Sequence, residues 1–159
     1  MIHPLRDFLR RRALRRGRST APTSLLPMSA VRSAVVFVDG TAGGEDPAVA
    51  ARLAQRLLAD RGIDVQVLCP TKRELDWLGR LKPAQDTPAG GDLFLSLAAS
   101  PDCFAAAYAA ACSTARFKAG RCALPGGIYD LVVASPRQEG LDSQAEAFTA
   151  ILEYLDKIQ

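Results

Sequence analysis

The segment Asp39-Gly40-Thr41-Ala42-Gly43-Gly44 holds residue types that could handle a small polar ligand. A carboxylate ends the apolar run Ala34-Val35-Val36-Phe37-Val38, and three glycines follow before Asp46-Pro47. Backbone N–H groups in such a turn, next to a helix start, can cradle a phosphate. The pattern is neither G-x-G-x-x-G nor G-x-x-x-x-G-K-[ST], and Glu45 and Asp46 put negative charge where a phosphate would sit. A plain strand-to-helix turn therefore competes with ligand binding. Ser96, near the end of another expected strand, and Ser100, Ser135 and Arg137, beyond expected strands, would reach the same sheet edge. With Asp39, Thr41, Gly43 and Gly44 they form the candidate ligand set, although turn and cap residues of any α/β sheet have the same composition.

Several chemistries are excluded by residue type. The single histidine is His3, so the rest of the chain cannot supply a Ser-His-Asp or Cys-His pair or a histidine-ligated metal. The Val-Asp-Gly-Thr motif at 38–41 invites comparison with haloacid dehalogenase phosphatases, but Phe37 stands where those enzymes need a nucleophilic aspartate. Cys69, Cys103, Cys112 and Cys122 form no C-x-x-C pair and read as reduced thiols that fill the core. No catalytic residue, metal ligand or cofactor is assigned, and a non-enzymatic protein is expected.

The sharper feature is basic. Residues 1–33 carry eight arginines against one acid, Asp7, while residues 34–159 carry twelve Lys/Arg against sixteen Asp/Glu. Residues 2–16 predict a helix with Ile2, Leu5, Phe8, Leu9 and Ala13 on one face. Arg6, Arg10, Arg11, Arg12, Arg15, Arg16 and Arg18 surround that face. Through residues 2–18 the chain is expected to attach to a polyanionic surface, either acidic lipid headgroups or RNA phosphates. A solvated tail, or a helix docked on the chain's own acidic domain, is the competing reading. With Phe8 the only aromatic in the helix, sequence-specific reading of nucleic acid is not expected. A small polar ligand at the Asp39–Gly44 edge is the alternative function, that of a small-molecule or nucleotide-sugar binding domain.

These residues need elements to place them. The expected layout is a basic amphipathic helix over 1–18, a polar, proline-marked linker over 19–32 and an α/β domain over 33–159. Met28, which follows the proline-marked stretch Ser19–Pro27 of that linker, is a second conceivable start, and removal of residues 1–27 is expected to leave the domain folded. Ala34–Val38 reads as a strand buried on both faces. Asp46-Pro47 opens a helix that Gly62 stops, and Ile63–Cys69 alternates as a second strand. Thr71-Lys72-Arg73-Glu74 has capping-box spacing and predicts a short helix with Leu75, Leu78 and Leu81 inward. Leu93–Leu97, Phe117–Ala119 and Tyr129–Ala134 read as further strands. A small-residue helix after Ser100-Pro101 and a last helix from Ser143, with Glu146 at its third position, complete the pattern. Alternating strands and helices predict a small three-layer Rossmann-like sandwich with a mainly parallel sheet of four or five strands. No apolar run reaches the roughly 20 residues of a spanning helix, and a cytoplasmic protein, at most peripheral to the membrane, is expected.

Two resemblances follow. Trp77-x-Gly79, the segment Ala115-Arg116-Phe117-Lys118-Ala119-Gly120 and Tyr129-Asp-Leu-Val-Val133, behind a basic N-terminal helix, resemble a family of uncharacterised small bacterial proteins, which implies no activity. Asp92-Leu-Phe-Leu-Ser-Leu97 through to Gly120 is similar to the N-terminal domain of heptosyltransferase-type glycosyltransferases. That resemblance implies a Rossmann-like fold and, for so short a chain, a degenerate single-domain relative.

Overall fold

A computed structural model describes residues 3–41, 45–81, 91–134 and 143–158. Five parallel strands form one sheet: β1 (Ser33–Phe37), β2 (Asp64–Leu68), β3 (Leu93–Ser96), β4 (Phe117–Gly120) and β5 (Leu131–Val132). Their spatial order is β2-β1-β3-β4-β5. Among the described residues four α-helices accompany them: α1 (His3–Gly17), α2 (Pro47–Ala59), α3 (Phe104–Cys112) and α4 (Gln144–Asp156). The expected Rossmann-like α/β sandwich is the fold observed.

Strand periodicity decides which residue serves which layer, because successive side chains point to opposite faces. On β1 and its extension, Ala34, Val36 and Val38 enter one core with Ala50, Ala54 and Leu58 of α2 and Phe148, Ile151, Leu152 and Leu155 of α4. Val35 and Phe37 enter the other, against the alanines of α3. The small residues of α3 allow the helix to lie close to the sheet. Asp46 caps α2 by accepting the N–H of Ala48, and Ser143 caps α4 by accepting the N–H of Glu146.

The α3 face is short of cover. Among the described residues no α-helix lies between β2 and β3, only the 3₁₀ turn Lys72–Glu74, and residues 121–130 join β4 to β5 without a helix. The N-terminal helix occupies this side. α1 packs along α3, and Leu14 joins the core beneath it. A Cβ on Gly17 would lie 2.8 Å from Cys112 Sγ and 3.1 Å from Tyr108 Oη, so the helices meet closely there. Arg10 Nε donates to Leu78 O at 2.7 Å, and Arg18 donates to Gly126 O at 2.8 Å.

The segment over 19–32 is a strap tied to the domain. Ser19 N donates to Ala111 O, Ser24 N to Arg116 O, and Thr23 Oγ1 to Asp130 Oδ1. Leu26 and Val31 are buried on the opposite face, in the core of α2 and α4. Residues 3–27 are thus tied to the domain by backbone and side-chain bonds and by Leu26, the docked arrangement that competed with a free tail. A polar, proline-marked composition concealed one leucine and one valine that plug the core.

Three local expectations also change. The helix opened by Thr71 is one 3₁₀ turn, Lys72–Glu74, and Thr71 makes no side-chain cap. The chain folds back instead, because the Asp76 carboxylate collects the N–H groups of Leu78 and Arg80 and the Arg80 guanidinium, closing a bridge between Leu75 and Leu81. The strand over 129–134 shortens to the edge pair Leu131–Val132. On α1, Leu5 and Phe8 are 60% and 55% exposed, and the partly buried stripe is Leu9, Ala13 and Leu14 with Arg6 and Arg10. The α3 surface, not the largest side chains of α1, decides which stripe is covered.

Asp92 fastens the start of β3 to β1 by accepting the N–H groups of Arg32 and Ser33, with Arg116 alongside. The Arg32 N–H, the Ser33 N–H and the Arg116 guanidinium outweigh burial and hold its carboxyl below the usual carboxylate range. A depressed folded-state pKa contributes stability that is complete above the unfolded value, near 4, and lost as pH falls through the folded value. Melting temperature is expected to fall more steeply below about pH 4 for the native protein than for Asp92→Asn. Parallel acid limbs in the two proteins would refute this role.

Candidate ligand crevice at the sheet switch point

The order 2-1-3-4-5 reverses direction between β1 and β3, and ligands of open α/β sheets settle outside the carboxyl ends of the strands at such a point. A cavity of about 350 Å³ lies there. Phe37, Asp39 and Thr41 reach it from the end of β1, and Pro70 and Lys72 from the end of β2. Asp102, Cys103 and Phe104 reach it from the start of α3, and Arg6 and Arg10 from α1.

The β1 end is fixed by backbone bonds. Asp39 N donates to Gln144 Oε1 at 2.7 Å, and Gln144 Nε2 donates to Asp39 O at 3.0 Å. Gln144 is 2% exposed, and its own N–H donates to Glu45. Asp39 Oδ1 accepts from Thr41 N and Thr41 Oγ1, closing the turn. Gly40 has no room for a side chain, since a Cβ there would sit 2.5 Å from Pro70 O.

The charges are mixed. Arg6, Arg10 and Lys72 face Asp39, Asp76 and Asp102, but Asp76 is engaged by Arg80 at 2.9 Å. Arg10 lies over the Phe104 ring, 4.8 Å from its centroid. Burial, and then the neighbouring Arg6, hold the Arg10 guanidinium below its ordinary pKa. Arg6 Nε is sealed from solvent and has no hydrogen-bond partner among the described residues. Two guanidinium groups pressed together with a buried donor free suit an anion, because a charge-assisted bond would satisfy both.

Cys103 sits at the N-cap of α3 but is not poised as a nucleophile. Burial above all, then Asp39, push its thiol up to about 11, against an opposing N–H from Ala106. Burial likewise raises Cys69, Cys112 and Cys122, and all four are free thiols. Thiol-specific reagents at neutral pH are expected to modify native Cys103 far more slowly than the unfolded chain, as the thiolate is the attacking species. Labelling of Cys103 at the unfolded rate would contradict this geometry.

Of the candidate ligand set, Asp39 and Thr41 line the crevice. Ser96 is buried and accepts the N–H of Ala98, while Ser100 is exposed and accepts the N–H of Asp102. Neither lines the cavity. Gly43, Gly44, Ser135 and Arg137 lie outside the described residues. Of the arginines, Arg6 and Arg10 enter the crevice, and Arg11, Arg12, Arg15, Arg16 and Arg18 are exposed. Lys72, Asp102, Cys103 and Phe104 were not foreseen as site residues. The one available signal was on α1, where Arg6 and Arg10 share a helical stripe with Leu9, Ala13, Leu14 and Gly17.

Fold and crevice define the class, a doubly wound α/β protein of flavodoxin-like strand order with its cavity at the β1/β3 switch point. Compared with protein-family models, curated proteins and solved structures, the chain gives no match. Among the described residues no cluster of His, Cys, Asp and Glu could hold a metal ion. No helix among them is long and apolar enough to cross a membrane.

Proposed function

We propose that this protein is a binding domain for a small phosphate-bearing molecule, held in the crevice between β1 and α3. The observation that carries the reading is the buried, unpartnered Arg6 Nε beside Arg10 at the switch point. Arg6, Arg10 and Lys72 take the phosphate. Phe37, Phe104 and Leu75 offer an apolar wall, and Asp39 and Asp102 accept from ligand hydroxyl or amino groups. A nucleotide, a nucleotide sugar or a sugar phosphate combines these features, and binding rather than turnover fits a site without histidine or a reactive thiol. Titration calorimetry with adenosine 5′-monophosphate and inorganic pyrophosphate tests the reading. Saturable binding is expected, weakened on the order of tenfold to a hundredfold in Arg6→Gln, the usual range for a hydrogen bond to a charged group. Equal affinity in Arg6→Gln, or no saturable binding of either probe, overturns it.

A further inference from the structure

We infer that the outward face of α1 is a docking surface for an anionic lipid bilayer. The helix is two-sided by placement: the stripe of Arg6, Leu9, Arg10, Ala13 and Leu14 turns toward the domain. Phe8 stands on the other side at 55% exposure, with Leu5 one turn before it at 60%. Arg11, Arg12 and Arg15 follow Phe8 by three, four and seven residues, so they ring it on the same exposed face. Arg16 and Arg18 extend the basic rim. Among the described residues, no ion pair engages any of these outer arginines, and only Arg18 donates a hydrogen bond, to Gly126 O.

Beside this face runs a groove of about 470 Å³ between α1 and the β4–β5 connection. Its floor is apolar, with Leu14, Ala111, Pro125 and Ile128, and Arg11, Arg15 and Arg18 stand along it. An apolar trough under a row of guanidinium groups complements an acyl chain attached to an anionic headgroup. It complements a nucleic acid less well, since Leu5, Leu14 and Ile128 cannot stack on bases. Because α1 is bound to the domain along its inner side, its exposed face can lie flat on a membrane without the helix leaving the protein. Phe8 and Leu5 enter the headgroup–acyl boundary, and the arginines remain at the phosphates.

Cosedimentation of the full chain with phosphatidylcholine vesicles, with or without phosphatidylglycerol, tests the inference. Binding is expected only to the phosphatidylglycerol vesicles, with a loss of roughly fivefold for each outer arginine replaced, as in Arg11→Gln and Arg15→Gln. Phe8→Ser is expected to weaken it further. In a Trp77→Phe background, Phe8→Trp is expected to shift its emission to the blue on those vesicles, a readout independent of affinity. Equal binding to both vesicle types, no binding to either, an unshifted Phe8→Trp emission, or tighter binding of polyuridylate that ignores Phe8→Ser would overturn the proposal. Arg6→Gln is expected to leave vesicle binding unchanged, so failure here and failure at the crevice are separable.

Discussion

A chain that begins at Met28 is expected to melt on the order of 10 °C below the full-length protein, a loss of about 4 kcal/mol. The loss has two sources on opposite faces of the sheet. Leu26 is 8% exposed within the α2/α4 core, and emptying such a leucine site costs about 2–5 kcal/mol. On the other face, losing α1 uncovers the alanines of α3 and Tyr108, and removes the bonds from Arg10, Arg18, Ser19, Ser24 and Thr23. Each of those is worth about 1 kcal/mol before the ordering of the strap is set against it. Thermal unfolding of the two chains under identical conditions decides the matter. Coincident curves would mean that the strap and α1 add nothing to the fold.

Replacing Gln144 with leucine is the single substitution expected to do most damage. The two side chains are close in size, so the cavity cost is small, but Asp39 would lose partners for both its N–H and its C=O. Asp39 is only partly buried, so each unsatisfied group costs toward the low end of about 1–3 kcal/mol, and a total of about 2 kcal/mol with a melting point lowered by roughly 5 °C is expected. Asp39 and Thr41 would lose their fixed place in the crevice, so affinity for adenosine 5′-monophosphate should fall in the same variant. Gln144→Glu keeps an acceptor for the Asp39 N–H and should fall between the two in stability. Stability unchanged in Gln144→Leu would show that the β1 end is held by other groups.

Parts of this architecture are plain in the sequence because their causes are local. The run Ala34–Val38 announces a strand buried on both faces, and Asp46 and Ser143 cap their helices through bonds to residues two and three positions away. The Thr71 prediction failed for a non-local reason within a short reach. Asp76 gains more from the N–H groups of Leu78 and Arg80 than from continuing a helix, and motif spacing cannot register that competition. Leu26 illustrates the limit further out, since nothing beside it in the chain distinguishes it from the exposed Leu25.

The site follows the same division. Asp39 and Thr41 were legible because they end a strand, and strand ends of parallel sheets form one edge. Cys103 and Phe104 belong to the start of a helix whose onset lies three to four residues beyond Ser100-Pro101. Arg6 and Arg10 were legible as charges but not as lining, because their inward turn depends on contact with α3, nearly a hundred residues away.

That separation has a kinetic consequence. α3 begins about 90 residues after α1 ends, so on a ribosome adding roughly 5–20 residues per second the first helix waits between about 5 and 20 s for its partner surface. During that interval Leu9 and Leu14 are as accessible as Phe8, and nothing covers the arginines that later line the crevice. The nascent segment then exposes its apolar and its basic residues together. Closure of α1 over α3 ends that state, so any early encounter with a membrane would take place before the protein has finished folding.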